Sequence, residues 1–102
     1  MPLYKTITLS SSIKVLIWKI EESFAKLSEG ISLSQHSSHR VLNMKSDLHR
    51  RGFMSVRHLL AEEGYTDLDL YYDENGKPHL IDGKHISITH SFVFSAIARH
   101  PM

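Results

Sequence analysis

The stretch "SDLHRRGFMSVRHLLAEEG", residues 46–64, constrains the fold more than any other part of the sequence. Leu48, Gly52, Val56, Leu59 and Leu60 share one face of a helix, with Phe53 flanking it. Ser46 is a candidate N-cap and Gly64 a candidate C-terminal stop. An apolar stripe of this length needs a second layer to pack against, and the rest of the chain offers strands for it.

Residues 3–9 alternate weakly and read as a short strand or an ordered arm, with a serine turn at 10–12. "IKVLIWKI", residues 13–20, is rich in β-branched and aromatic residues and short enough for a buried strand. In "EESFAKLSEG" the period changes. Ile20, Phe24 and Leu27 lie on one helical face, acids open it and Gly30 closes it. "SLSQHSSHRVLNMKS" mixes loop with a short helix. After the long helix, Leu68, Leu70 and Tyr72 alternate as in a strand, and Asn75-Gly76 marks a hairpin turn. "HISITHS" and "FVFSAIA" are two more strands, the second apolar on both faces as a central strand would be. The order β-α-α-α-β-β-β-β predicts an α+β fold, helices packed on one face of a mostly antiparallel sheet.

A length of 102 residues suits one domain, 1–102, and 41% hydrophobic with 23% charged residues suits an ordinary core. The net charge of +1 gives no global attraction to nucleic acid, so any basic site is local. The absence of cysteine excludes a disulfide scaffold, a thiolate zinc site and a cysteine nucleophile, and it fits a cytoplasmic location. The apolar run "VLIW" has four residues where a membrane span needs about 20. The N-terminal stretch has neither the apolar core nor the cleavage site of a signal peptide, so a soluble chain is expected.

Three clusters of polar residues are candidates for chemistry. Arg50 and Arg57 stand seven residues apart on the long helix. They therefore project from one face about two turns, ~10 Å, from each other. Lys45 and His49 precede them, and Arg51 and His58 form an adjacent pair. Guanidinium and ammonium donors make charge-assisted bonds to phosphate, so this face suits a phosphate group. It equally suits a solvated face balanced by Glu62 and Glu63. At the hairpin, Asn75-Gly76 supplies positive φ and Pro78 fixes the backbone, which holds Lys77 on a rigid tip. That lysine is either a solubilising edge charge or part of a flat pocket. In "SITHS", Thr89, His90 and Ser91 fall where one apolar strand stops and the next begins, so they need partners. His90 either bonds within the fold or donates to an anionic ligand, with Thr89 or Ser91 beside it. Eight histidines invite a metal, and His36 and His39 are spaced i, i+3. No third ligand stands at fixed spacing, so the pair reads as polar surface.

The basic helix, then "NGKPHL", then "ISITHS" followed by a strand, resembles the N-terminal half of the larger, monomeric 4′-phosphopantetheinyl transferases. That family carries a Gly-Lys-Pro turn, an apolar strand ending in Ser-His-Ser or similar, and an upstream helix like "VRHLL". The ordered set matches over about residues 45–98. The resemblance implies one of two similar α/β halves with coenzyme A in the cleft between them. It places Gly76, Lys77 and Pro78 beside the adenine, and His90 with Thr89 at the 3′-phosphate. Lys45, Arg50 and Arg57 are candidates for further phosphate contacts.

The family moves phosphopantetheine from coenzyme A to a serine of an acyl or peptidyl carrier protein. Magnesium on the pyrophosphate offsets charge, and a base helps deprotonate the serine. The sequence departs from the family in three places. Thr89 replaces the commoner serine, and Gly52 stands where many relatives have glutamate, which costs the helix roughly 1 kcal/mol relative to alanine. The Asp-x-Glu magnesium ligands and the later Trp-x-x-Lys-Glu motif do not appear before Met102. The resemblance therefore implies a chain that binds coenzyme A, has no catalytic residues of its own and meets magnesium only with a C-terminal half. Such a half is expected to expose an apolar edge near "FVFSAIA" and to pair with a missing half or a second copy. Two rivals stand beside this reading: a non-catalytic interaction module docking a partner on that edge, and a weak nucleic-acid binder using "HRRGFMSVRH". The near-neutral charge argues against the latter.

Overall fold

The computed structural model describes residues 3–8, 13–91 and 93–100. The chain opens with an antiparallel hairpin of β1 (Leu3–Thr8) and β2 (Lys14–Lys19). Three helices follow: α1 (Phe24–Ser28), α2 (Gln35–Leu42) and α3 (Asp47–Glu62). A 3₁₀ turn (Asp67–Asp69) leads into a small hairpin of β3 (Leu70–Tyr72) and β4 (Pro78–Leu80). β5 (His85–His90) and β6 (Phe94–His100) complete the chain. The main sheet has the order β1-β2-β6-β5, antiparallel throughout, and β3-β4 forms a separate two-stranded sheet. The protein is an α+β domain with helices and an antiparallel sheet.

The helices cover one face of the sheet. Leu16 and Trp18 of β2, Ile86 of β5 and Ile97 of β6 turn inward to meet Val56, Leu59 and Leu60 of α3. Full burial of such side chains contributes about 1.5–3 kcal/mol each. The alternate residues Val15, Ile17, Ala96 and Ala98 point to the other face and are half-buried. β6 pairs along one edge with β2 and along the other with β5, so its backbone groups are engaged on both sides. It follows that β6 has no free edge. The edges of the main sheet are β1 and β5, and the apolar residues of β6 that do not meet the helices lie on its other face.

Local chemistry sets the helix ends. Ser23 caps α1 by accepting from the Lys26 N–H at 3.2 Å, so the helix begins later than its acids suggest and leaves Glu21 and Glu22 ahead of it. Ser34 caps α2 and Ser46 caps α3 in the same way. Gly64, at φ +82°, ends α3 with the Tyr65 N–H bonded to the Leu60 carbonyl at 2.9 Å.

Two residues depart from their expected places. Leu68 lies on the 3₁₀ turn and is 73% exposed, rather than opening a strand. The Asp69 carboxylate accepts from the Thr66 N–H, and Asp67 is drawn inward by partners elsewhere, so the chain coils before β3 begins. Leu48 is 38% exposed, because the first turn of α3 runs past the end of the core.

Candidate functional site

A groove opens where the N-terminal end of α3 meets the end of β5. A hollow of 260 Å³ lies between Ser46, Leu48 and His49 on one side and His90 and Ser91 on the other. A second hollow of 150 Å³ shares His49 and His90 and runs toward Arg40, Met44 and Tyr72. The two imidazoles meet edge to face with centroids 6.5 Å apart. Arg40 on α2 stacks its guanidinium 5.0 Å from the centre of the Tyr72 ring. Among the described residues lining both hollows there is no aspartate or glutamate. The positive end of the α3 dipole adds to the same field.

The basic residues of α3 are divided by this arrangement. Arg57 is buried, with its Nε donating to Asp67 Oδ1 at 3.0 Å and its guanidinium 3.6 Å from the centre of the Phe53 ring. Asp67 also accepts from the Ser34 N–H at 2.8 Å and the Ser37 hydroxyl at 3.0 Å. Burial pushes the Asp67 carboxyl upward, but these donors outweigh it and hold the group below its ordinary range. Arg57 reaches the floor of the groove already committed to this knot. Arg50 donates to the Met44 carbonyl, and Arg51 Nε to the Glu22 carbonyl at 2.8 Å. His58 donates from Nε2 to the Leu27 carbonyl at 2.6 Å, since a carbonyl can only accept. The cationic face thus staples α3 to the segments around it. Lys45 and His49 are exposed, and His49 is the α3 base that faces the groove.

The other sequence candidates are placed as follows. His90 is on β5 with Ile86 and Ile88, facing the helices, and its ring packs against Gly52. Thr89 alternates to the opposite face of the sheet, exposed, opposite Ala96. His90 and Thr89 therefore do not share a wall, and Ser91 supplies the hydroxyl on the His90 side. Gly76 and Lys77 lead from the turn of the small hairpin into β4, whose first residue is Pro78. Only Gly76 has positive φ, +82°, and Asn75 does not, so the turn is centred one residue earlier than the Asn-Gly pair suggests. Asp73 holds it: Oδ1 accepts from the Asn75 and Lys77 N–H groups at 2.8 and 3.0 Å. The His79 imidazole first, and then these amides, bring the Asp73 carboxyl down to about 2. The hairpin touches the groove through Tyr72, whose register partner is Pro78, and the turn extends beyond that pair.

Arg40 and Tyr72 are the site residues that sequence reasoning missed. Arg40 lies in a polar stretch with no periodic signal. The one clue was that it falls in the last turn of a short helix just before the basic cluster. Gly52, expected only to loosen the helix, is buried under the His90 ring.

A larger hollow, 460 Å³, lies elsewhere, between Trp18, Leu27 and His58. Its charged walls are Glu21, Glu22, Glu29 and Lys26, and Lys26 pairs with Glu29 at 3.2 Å. That charge balance repels phosphate, so the smaller groove is the better anion site. His36 and His39 stand on α2, both exposed, and no group of three or more metal-binding side chains occurs among the described residues. None of the helices among those residues is long and apolar enough to cross a membrane. No protein-family model matches this sequence, and no curated protein matches it either.

Proposed function

We propose that this chain is the coenzyme A-binding half of a 4′-phosphopantetheinyl transferase, acting with a second half on an acyl or peptidyl carrier protein. The observation that carries the reading is the groove at the start of α3. It gathers His49, His90, Arg40 and the Ser46 and Ser91 side chains with no described carboxylate among its walls. A phosphomonoester there meets several donors and no like charge. Of the two ways to read His90, the groove favours the donor to an anion.

The hollows of 260 and 150 Å³ suit a phosphate and its adjoining sugar. A whole cofactor of this size fills ~300–1,000 Å³ in an ordinary site, so the remaining walls belong to the other half. The described residues hold no group of three or more metal-binding side chains, and in this reading magnesium belongs with the second half. What its own residues do is bind and orient the nucleotide end.

The test is a calorimetric titration with coenzyme A and with 3′-dephospho-coenzyme A, repeated on His90→Ala. Binding that weakens without the 3′-phosphate and is lost in the variant supports the reading. Equal binding of both ligands, or none, removes the nucleotide site from this chain.

A second reading, an interaction module, is favoured by the half-buried apolar sheet face of Ile7, Val15, Ile17, Ala96 and Ala98, which points away from the helices. It moves the docking surface from the edge of the sheet to its face. A solution mass that stays at one chain at high concentration, with Ile17→Lys leaving it unchanged, would count against self-association there.

A further inference from the structure

We infer that Gly52 is a positioning residue for His90, seating the imidazole so that Nε2 is the nitrogen presented to the groove. This rests on the groove being the ligand site, but the seat itself is tested without ligand.

The glycine has no backbone reason to be there. Gly30, Gly64, Gly76 and Gly83 all have positive φ, and Gly52 does not. It sits inside a 16-residue helix, where glycine weakens the folding equilibrium about fivefold relative to alanine. What forbids a side chain is space. A Cβ at this position would lie 2.9 Å from His90 Nδ1, 3.2 Å from Cγ and 3.3 Å from Cε1. A Cβ at Gly30, Gly64 or Gly76 would meet nothing within 4 Å. The three closest atoms at Gly52 belong to one ring, so the room left by the missing methyl is occupied by that ring.

The order of the distances gives the orientation. Nδ1 is nearest, with its two ring neighbours slightly farther, so the ring turns its Nδ1 edge toward α3. Nε2 lies on the far side of the five-membered ring, toward the hollow lined by His49 and Ser91. An anion in the groove then accepts from Nε2–H. Among the described residues the ring is held from behind by the helix and not by a hydrogen bond. A methyl group at residue 52 would push the ring off this seat or force α3 away from β5.

Gly52→Ala, His90→Ala and the double variant form a thermodynamic cycle read by urea unfolding. With His90 present, alanine at 52 is expected to forgo the fivefold gain that an unhindered helix alanine brings. With alanine at 90, that gain should reappear. Long-range ¹H–¹⁵N spectra should show the His90 ring resonances displaced in Gly52→Ala. Coenzyme A affinity should fall at least about tenfold in Gly52→Ala, in the same direction as the loss expected for His90→Ala. An equal gain in both backgrounds, or His90 resonances that stay in place, overturns the seat. Coupling and displaced resonances in a protein that binds no coenzyme A would uphold the seat and overturn the proposed function instead.

Discussion

The two ends of α3 carry the same kinds of residue and use them differently. Toward its C-terminal half, Arg57 and Glu63 are closed into ion pairs whose acids are 1% and 5% exposed. At its N-terminal end, His49 and the facing His90 stand beside open hollows. A basic residue on a helix becomes structural when an acid or an orphan carbonyl is folded onto it. It becomes available to a ligand when only apolar or cationic neighbours are. The chain achieves this by bringing the 3₁₀ turn over Arg57 and the end of β5 over Gly52.

The comparison breaks most sharply at Asp67. Asp67→Ala leaves the Arg57 guanidinium buried without its anion, and the expected loss is about 3–5 kcal/mol by urea unfolding. A loss below about 1 kcal/mol would mean that the knot is not a closed, desolvated pair. Glu63→Gln comes next. Glu63 holds Lys14 at 2.9 Å and Arg99 at 2.8 Å, joining α3 to β2 and β6. Those partners are 41% and 25% exposed, so water replaces part of what is lost, and a cost of about 1–2 kcal/mol is expected.

Acid should find the same end of the helix first. Burial raises both Asp67 and Glu63, but their donors outweigh it and hold both carboxyls below the ordinary range. A group depressed in the folded state stabilises it fully above the unfolded pKa, about 4. That contribution disappears as pH falls through the folded value. The urea midpoint should therefore change little for these groups between pH 7 and 5 and drop below pH 4. Asp67→Asn should flatten the drop, and an unchanged slope would show that other carboxylates control acid unfolding.

At the open end the effects on stability shrink. Arg40→Ala removes a stacked cation from Tyr72, a loss of about 0.5–1 kcal/mol, and should weaken the proposed coenzyme A binding more than it weakens the fold. A variant that binds as well as the parent would take Arg40 out of the site. The smallest change is at the hairpin tip. Asp73→Ala removes the acceptor of the Asn75 and Lys77 amides, so their hydrogen exchange should quicken while exchange in α3 is unaltered. Protection that persists would assign the turn's order to its backbone alone.

Much of this was legible locally. Ser46 and Gly64 mark the ends of α3, and the apolar sequence of β6 marks a central strand, because capping and alternation act within a few residues. Alternation alone misplaces Leu68, because Asp67, its neighbour, answers to Arg57 and Ser37 elsewhere in the chain. Adjacency in sequence joins Thr89 to His90 and hides the alternation that puts them on opposite faces. Arg40 gave no signal, since its role depends on a tyrosine 32 residues away.

The sequence by itself determined the α+β class, the ends of α3, the hairpin after it and the supply of bases and hydroxyls near the groove. Only the tertiary structure decided the sheet order, which bases are closed into pairs, and which ring lies against Gly52. Caps, turns and periodicity are short-range interactions that a few neighbouring residues complete. The fate of a charge, and the space allowed to a ring, depend on what the fold brings opposite from tens of residues away.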